Sequence, residues 1–159
     1  MDERQAVLFQ LGDNIFGIPV SNVQEIIKTP PITVIPNTPE FFEGVINLRG
    51  RVIPVLGLGK KLGLRKCDSE SSRTIIINVG ANSAGIIVDV VCDVLKIAED
   101  SIETDVNLCD MADRAINGIA KLDHRLIILL NLERILASDG VFDFEEIYKA
   151  IEEFYNVSS

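Results

Sequence analysis

Few residues in this chain could carry out a reaction. There is one histidine, His124, beside Asp123, and there are three cysteines, Cys67, Cys92 and Cys109. His124 and Asp123 fall between two aliphatic runs, where a hairpin turn explains them more simply than acid–base chemistry. Neither GxSxG nor HExxH occurs, so a nucleophile–histidine site or a histidine zinc site lacks its sequence context. The cysteines are widely spaced with no CxxC pair, which does not fit zinc and reads as free thiols in a reducing cytoplasm. Gly57 to Gly63, GLGKKLG, follows a strand, but Lys60 is followed by Lys61 where a phosphate loop needs Ser or Thr. The next residues are LRKCDSESS, not the sustained helix whose N-terminus would hold a pyrophosphate. No catalytic, cofactor-binding or metal-ligating residue is assigned. The better candidate for contact is a cation, Arg49, in the run Arg49-Gly50-Arg51.

The element that must position Arg49 is Gly44 to Leu58, GVINLRGRVIPVLGL. It reads as two β-strands joined by a tight turn, with Gly50 relieving the cost of positive φ. The turn lifts Arg49 to the end of a rigid hairpin.

Composition narrows the partners. A chain of 159 residues suits one ordinary domain or two very small ones, and it is long enough for a core without disulfides or metals. Val and Ile dominate an apolar content of 47% without any Trp, which favours sheet. A net charge of −9 argues against nucleic acid and against an anionic membrane surface. No run of about twenty apolar residues spans a bilayer. The opening MDERQAV turns from charge directly into a strand, unlike a signal peptide.

In chain order, strands are expected at Ala6 to Leu11 and Ile15 to Val20, joined by a Gly12-Asp13-Asn14 turn. Pro19 marks an edge or a strand end. Ser21 as N-cap with Val23, Ile26 and Ile27 predicts a short helix, stopped at Thr29-Pro30-Pro31. A short strand, Ile32 to Ile35, and an irregular stretch with Pro36 and Pro39 lead into the hairpin. A helical turn follows at Gly57 to Leu64, and Arg65 to Ser72 reads as a loop between halves. Strands are expected at Arg73 to Val79 and Gly85 to Val90, around an Ala81-Asn82 turn, with Val91 to Ile97 extended. Asp100 to Arg114 reads as loop, Ile116 to Leu132 as a second hairpin, and Glu133 to Ala137 as a short helix. In the tail, Asp143 and Glu146 form a capping box, and Phe144, Ile147, Ile151 and Phe154 make one helical stripe. That stripe reads as a helix packed on the body or as a docking helix for a partner.

The first hairpin has a twin. Gly44 to Leu58 aligns without gaps on Gly118 to Leu132, matching Gly44 with Gly118, Leu48 with Leu122 and Arg51 with Arg125. Upstream, Gly17-Ile18-Pro19-Val20 parallels Gly85-Ile86-Ile87-Val88. Two copies of a β-unit of this size point to two small barrels packed side by side. The turns differ: Arg49-Gly50-Arg51 stands against Asp123-His124-Arg125. What is shared reads as structural, which leaves Arg49 as the functional candidate.

Phe16-Gly17-Ile18-Pro19-Val20, Val23-Gln24-Glu25-Ile26, Pro36 with Pro39, the NLRG core of Gly44 to Pro54, and Gly85 to Asp89 together resemble the CheW family of chemotaxis coupling proteins. The likeness covers about Ala6 to Leu136. It implies a mainly β fold of two SH3-like five-stranded barrels, with short helices and a C-terminal helix. The whole chain, 1–159, would form one CheW-like domain of two subdomains, about 6–66 and 72–137, with strand exchange left open. The tail, 139–159, would follow them.

The resemblance also implies a non-enzymatic, cofactor-free adaptor, cytoplasmic, monomeric in isolation and recruited to membrane receptor arrays. Its partners would be the cytoplasmic hairpin tip of a chemoreceptor (a methyl-accepting chemotaxis protein) and the regulatory domain of the histidine kinase CheA, with no nucleic acid and no direct membrane contact. By position, Val23, Glu25 and Arg49 would form the receptor-facing groove from the first half. Val91, Val94, Ile75 and Ile76 would line it from the second. Ordinary core is the competing reading for the four aliphatics, and a surface Glu25–Arg49 ion pair for the charges. Gly57 departs from the family, which often has a polar or acidic residue there. The rival functions are a CheW-like regulatory module of a larger signalling protein and a small-ligand-binding β-barrel using the inter-barrel groove.

Overall fold

The computed structural model describes residues 3–36, 38, 40–64, 72–79, 82–103 and 116–136. The chain enters as β1 (Glu3–Leu11), turns at Gly12, where φ is 60°, and returns as β2 (Asn14–Pro19). Strand β1 alternates only weakly because both of its faces are buried. Val7, Phe9 and Leu11 enter one apolar cluster, and Ala6 and Leu8 enter another. Pro19 ends β2, where it stands opposite Ala6 of β1.

A 3₁₀ turn, Val20–Asn22, leads into β3 (Val23–Lys28). The helix expected here is replaced by a strand. Its β-branched residues pair with β6 (Arg73–Val79), and half-buried Val23, Glu25 and Ile27 alternate with exposed Gln24, Ile26 and Lys28. Long-range pairing overrides the weak helical spacing. Ile32 to Ile35 supplies only an isolated bridge, Thr33 to Val45, in place of a strand. The first hairpin forms as β4 (Phe42–Leu48) and β5 (Arg51–Gly57), followed by the short α1 (Leu58–Lys61).

The second series runs through β6, β7 (Asn82–Val88), β8 (Val90–Ala98) and a 3₁₀ turn, Glu99–Ser101. It continues with β9 (Ile102–Glu103), β10 (Ile116–Leu122), β11 (Arg125–Leu130) and α2 (Leu132–Leu136). The Arg65 to Ser72 loop apart from Ser72, the Ala81 turn position, most of the Asp100 to Arg114 loop and the tail helix lie outside the described residues.

Two antiparallel-rich sheets result, with strand orders β8-β1-β2-β11-β10-β9 (barrel I) and β3-β6-β7-β5-β4 (barrel II). Neither is built from one half of the chain. Each takes a hairpin from one half and completes it with strands from the other. The two orders correspond strand for strand, including one parallel pair each: β11 with β2, and β5 with β7. Barrel I has a sixth strand, the two-residue β9, where barrel II has only the Thr33 bridge.

The core has three parts. Leu8, Ile97, Ile127 and Leu129 fill barrel I, and Ile46, Ile53, Val55 and Ile76 fill barrel II. Between them, Val7, Phe9, Phe16 and Ile18 meet Leu56, Ile75, Ile77 and Ile86. Asp89 stitches the crossing from β7 to β8: its N–H donates to Gln10 O at 3.0 Å, and its Oδ2 accepts from Gly12 N at 2.7 Å. The expected fold class, two small SH3-like barrels side by side, is the one observed.

Candidate partner-binding surface

Leu48 pairs with Arg51, so the first hairpin closes through a two-residue turn, Arg49-Gly50. Both residues have positive φ, 51° and 83°, as a type I′ turn requires to match strand twist. Asn47 Oδ1 accepts from Gly50 N–H at 2.9 Å and holds the turn. Arginine is poorly suited to a left-handed position, which favours Gly, Asn or Asp. In the twin hairpin the equivalent residue is Asp123, with φ 54°.

The turn delivers Arg49 to β3. Its guanidinium bonds the Glu25 carboxylate in fork fashion, Nη1 donating to Oε1 at 3.2 Å and Nη2 to Oε2. The hydrogen bond and the charge of Glu25 raise the Arg49 pKa further above its already high value, so this cation is permanent. Arg49 is well exposed and Glu25 half-buried, leaving the outer edge of the pair open to solvent.

Strand β3 aims its side chains through a bulge. Val23 pairs with Ile77 and Glu25 with Ile76, so Gln24 is the extra residue. Gln24 Nε2 donates to Ser83 Oγ at 2.9 Å and also to Asn78 Oδ1, fixing the kink. Strand β8 repeats the device: Phe9 pairs with Val91 and Leu8 with Asp93, leaving Cys92 as the extra residue. The Cys92 thiol is free, and partial burial raises its pKa against the pull of Arg125. That is the wrong direction for a reactive thiolate.

The predicted site residues separate into four groups. Glu25 and Arg49 are in contact. Val23 and Val91 are half-buried and pack against the same inter-barrel cluster, one from β3 and one from β8. Val94 is 46% exposed. Ile75 and Ile76 are both 0% exposed, Ile75 between the barrels and Ile76 inside barrel II. Those two present no surface to a partner. Adjacent positions of a strand buried on both faces point to opposite cores.

The sequence reading missed Ile26, the barrel II counterpart of Val94, which is 39% exposed on β3 beside Glu25. Carrying the repeat from Val94 back to β3 would have found it. It also missed Glu43, whose Oε1 lies 2.8 Å from Lys60 Nζ. A Cβ on Gly57 would sit 2.7 Å from that oxygen, so glycine here makes room for the pair.

The described residues include no group of three or more metal-ligating side chains and no helix long and apolar enough to cross a membrane. Their buried side-chain polar atoms all have hydrogen-bond partners.

Residues 5–140 match the CheW-like domain family. The chain is 33% identical over 136 residues to the chemotaxis protein CheW of Thermotoga maritima, covering 86% of this chain and 89% of that one. It is 32% identical to the chemotaxis protein CheW of Klebsiella aerogenes, covering 92% and 90%. The crystal structure of the scaffolding protein TtCheW from Thermoanaerobacter tengcongensis superposes with a TM-score of 0.81 at 39% identity, covering 87% of this chain and 96% of that one. With the same two-barrel architecture and a family match over most of its length, this chain belongs to the CheW-like domain family.

Proposed function

We propose that this protein is a chemotaxis scaffold that joins the cytoplasmic tip of a chemoreceptor to the regulatory domain of the histidine kinase CheA, without catalysing a reaction itself. The carrying observation is the Glu25–Arg49 pair, held at the tip of a closed hairpin and flanked on β3 by half-buried Val23 and exposed Ile26. Aliphatic side chains accept the apolar face of a receptor helix, while a fixed charge pair sets its register. Val91 and Val94 on β8 extend the apolar contact from barrel I. Family membership and the names of the relatives support the chemotaxis assignment.

The protein works in the cytoplasm and reaches the membrane only through the receptor. The whole chain acts as one unit, with the tail 139–159 appended to the two-barrel body. A receptor cytoplasmic fragment, CheA and this protein, run together and separately on a sizing column, test the reading. Co-elution of all three is expected. Failure of this protein to join either partner overturns it.

A further inference from the structure

Barrel I carries a cleft of about 630 Å³ that none of the candidate partner-contacting residues lines. Strands β2 and β11 pair only from Ile15 to Gly17. Beyond Gly17 and Leu129 they part, and the cleft opens between them. Its floor is Ala6, Gly17, Ile97 and Leu129, and its rim carries the cations Arg4 and Lys96.

The other barrel carries polar side chains at the equivalent positions. Where barrel I has Ala6 and Ile97, barrel II has Thr74 and Thr29, whose hydroxyls bond each other at 2.9 Å. The Thr74 methyl lies 2.8 Å from where a Cβ on Gly85 would stand. Barrel I replaces this bridge with a smaller residue and an apolar one.

The charge of the cleft runs against the whole molecule. Among the described residues no Asp or Glu lines it, although the chain has 24 acids against 15 Lys and Arg. Glu99 accepts from Arg4 Nε at 3.0 Å and pairs with Nη2 at 2.9 Å, offsetting one of the two rim cations. Lys96 has no ion-pair partner among the described residues. Among the described residues the rim therefore offers one net positive charge above an apolar floor.

We propose that this cleft binds a small monoanionic amphiphile, a carboxylate on an aliphatic or aromatic body. Lys96 holds the carboxylate at the rim and the apolar body lies against Ala6, Ile97 and Leu129. The volume falls in the range of small-molecule sites. A charge-assisted bond to Lys96 selects anions over neutral or cationic chains of the same length.

Titration of the full chain with decanoate, decanol and decyltrimethylammonium, followed by backbone amide NMR, tests this directly. Decanoate is expected to bind saturably, shifting the Gly17, Ile97 and Leu129 amides, with decanol weaker and the ammonium compound silent. Lys96→Gln should weaken decanoate about tenfold, from loss of a charged hydrogen bond. Lys28→Gln, the equivalent change on barrel II, should not. Ala6→Leu should fill the floor and abolish binding in a protein that still melts cooperatively. If Ala6→Leu unfolds, the Lys96→Gln comparison decides alone. Absence of saturable binding, shifts centred elsewhere, equal affinity for decanol, or an unchanged Lys96→Gln variant each overturns the proposal.

Discussion

The hairpins β4–β5 and β10–β11 are two solutions to one set of constraints. Each carries a bulge at the same place, between Phe42 and Gly44 in one and between Ile116 and Gly118 in the other. In each, a bare Cα lets a passing segment close in. A Cβ on Gly44 would lie 2.2 Å from Thr33 O, and one on Gly118 2.9 Å from Glu103 O. The turn tips then part company. The second hairpin has Asp123, a residue that tolerates the left-handed conformation its φ of 54° demands. The first has Arg49 under the same demand, with its guanidinium clamped to Glu25. Shared positions follow local sterics, and the position where local sterics are ignored is the one that presents a charge. Strain retained at one copy of a repeat supports the proposed role of Arg49 in partner contact.

Changing the shared glycines should break the comparison most severely. Gly44→Ala places a methyl group against fixed backbone at a φ of 142° and should cost about 3 kcal/mol or more, read as a lower urea midpoint. Gly118→Ala should cost less, because its backbone clash, 2.9 Å from Glu103 O, is milder than the 2.2 Å at Gly44 and its φ is not positive. Equal losses would mean that the two crossings are equally rigid. Next come the barrel interiors. Ile76→Ala and Leu8→Ala remove equivalent fully buried side chains, and each should cost roughly 2–5 kcal/mol. Unchanged stability for Ile76→Ala would return that residue to the binding surface.

Surface changes should leave stability nearly intact and move binding instead. Arg49→Ala should abolish receptor pull-down with little change in melting temperature, and Arg49→Gly should lose binding while melting slightly higher, since glycine fits positive φ. Retained binding in either variant would separate the turn strain from recognition. Val94→Asp and Ile26→Asp should each weaken receptor capture while remaining folded, since both side chains are over a third exposed. Unfolding of either would identify it as core. The smallest effect concerns Cys92. With Cys67 and Cys109 changed to serine, its alkylation should reach half-maximal rate at a higher pH in the folded chain than in urea. Burial disfavours the thiolate, so the folded thiol holds its proton to higher pH. An equal or lower pH in the folded chain would remove burial as the dominant influence.

Sequence legibility followed the range of the forces. Both hairpins, their turns and the short helices after them were readable because alternation, turn residues and glycine act locally. Arg49 and Glu25 were visible as an ion-pair candidate, and the pair forms. Strand β3 was misread because six residues hold too little periodicity to choose between helix and strand, and its partner β6 lies about fifty residues further on. Ile75 and Ile76 looked like groove walls because sequence cannot distinguish an aliphatic facing a partner from one facing a second core.

The amino-acid sequence alone determined the β class, the duplication and the peculiarity of Arg49, since each depends on residue type and spacing along the chain. Only the tertiary structure decided which strands close which barrel. Strand exchange between the halves depends on pairings that no local pattern encodes. It also decided that Ile75 and Ile76 lie on opposite faces of one buried strand, while Ile26 and Val94 stay outside. The first hairpin could announce a cation, but it took β3 from barrel II to supply the carboxylate that aims it.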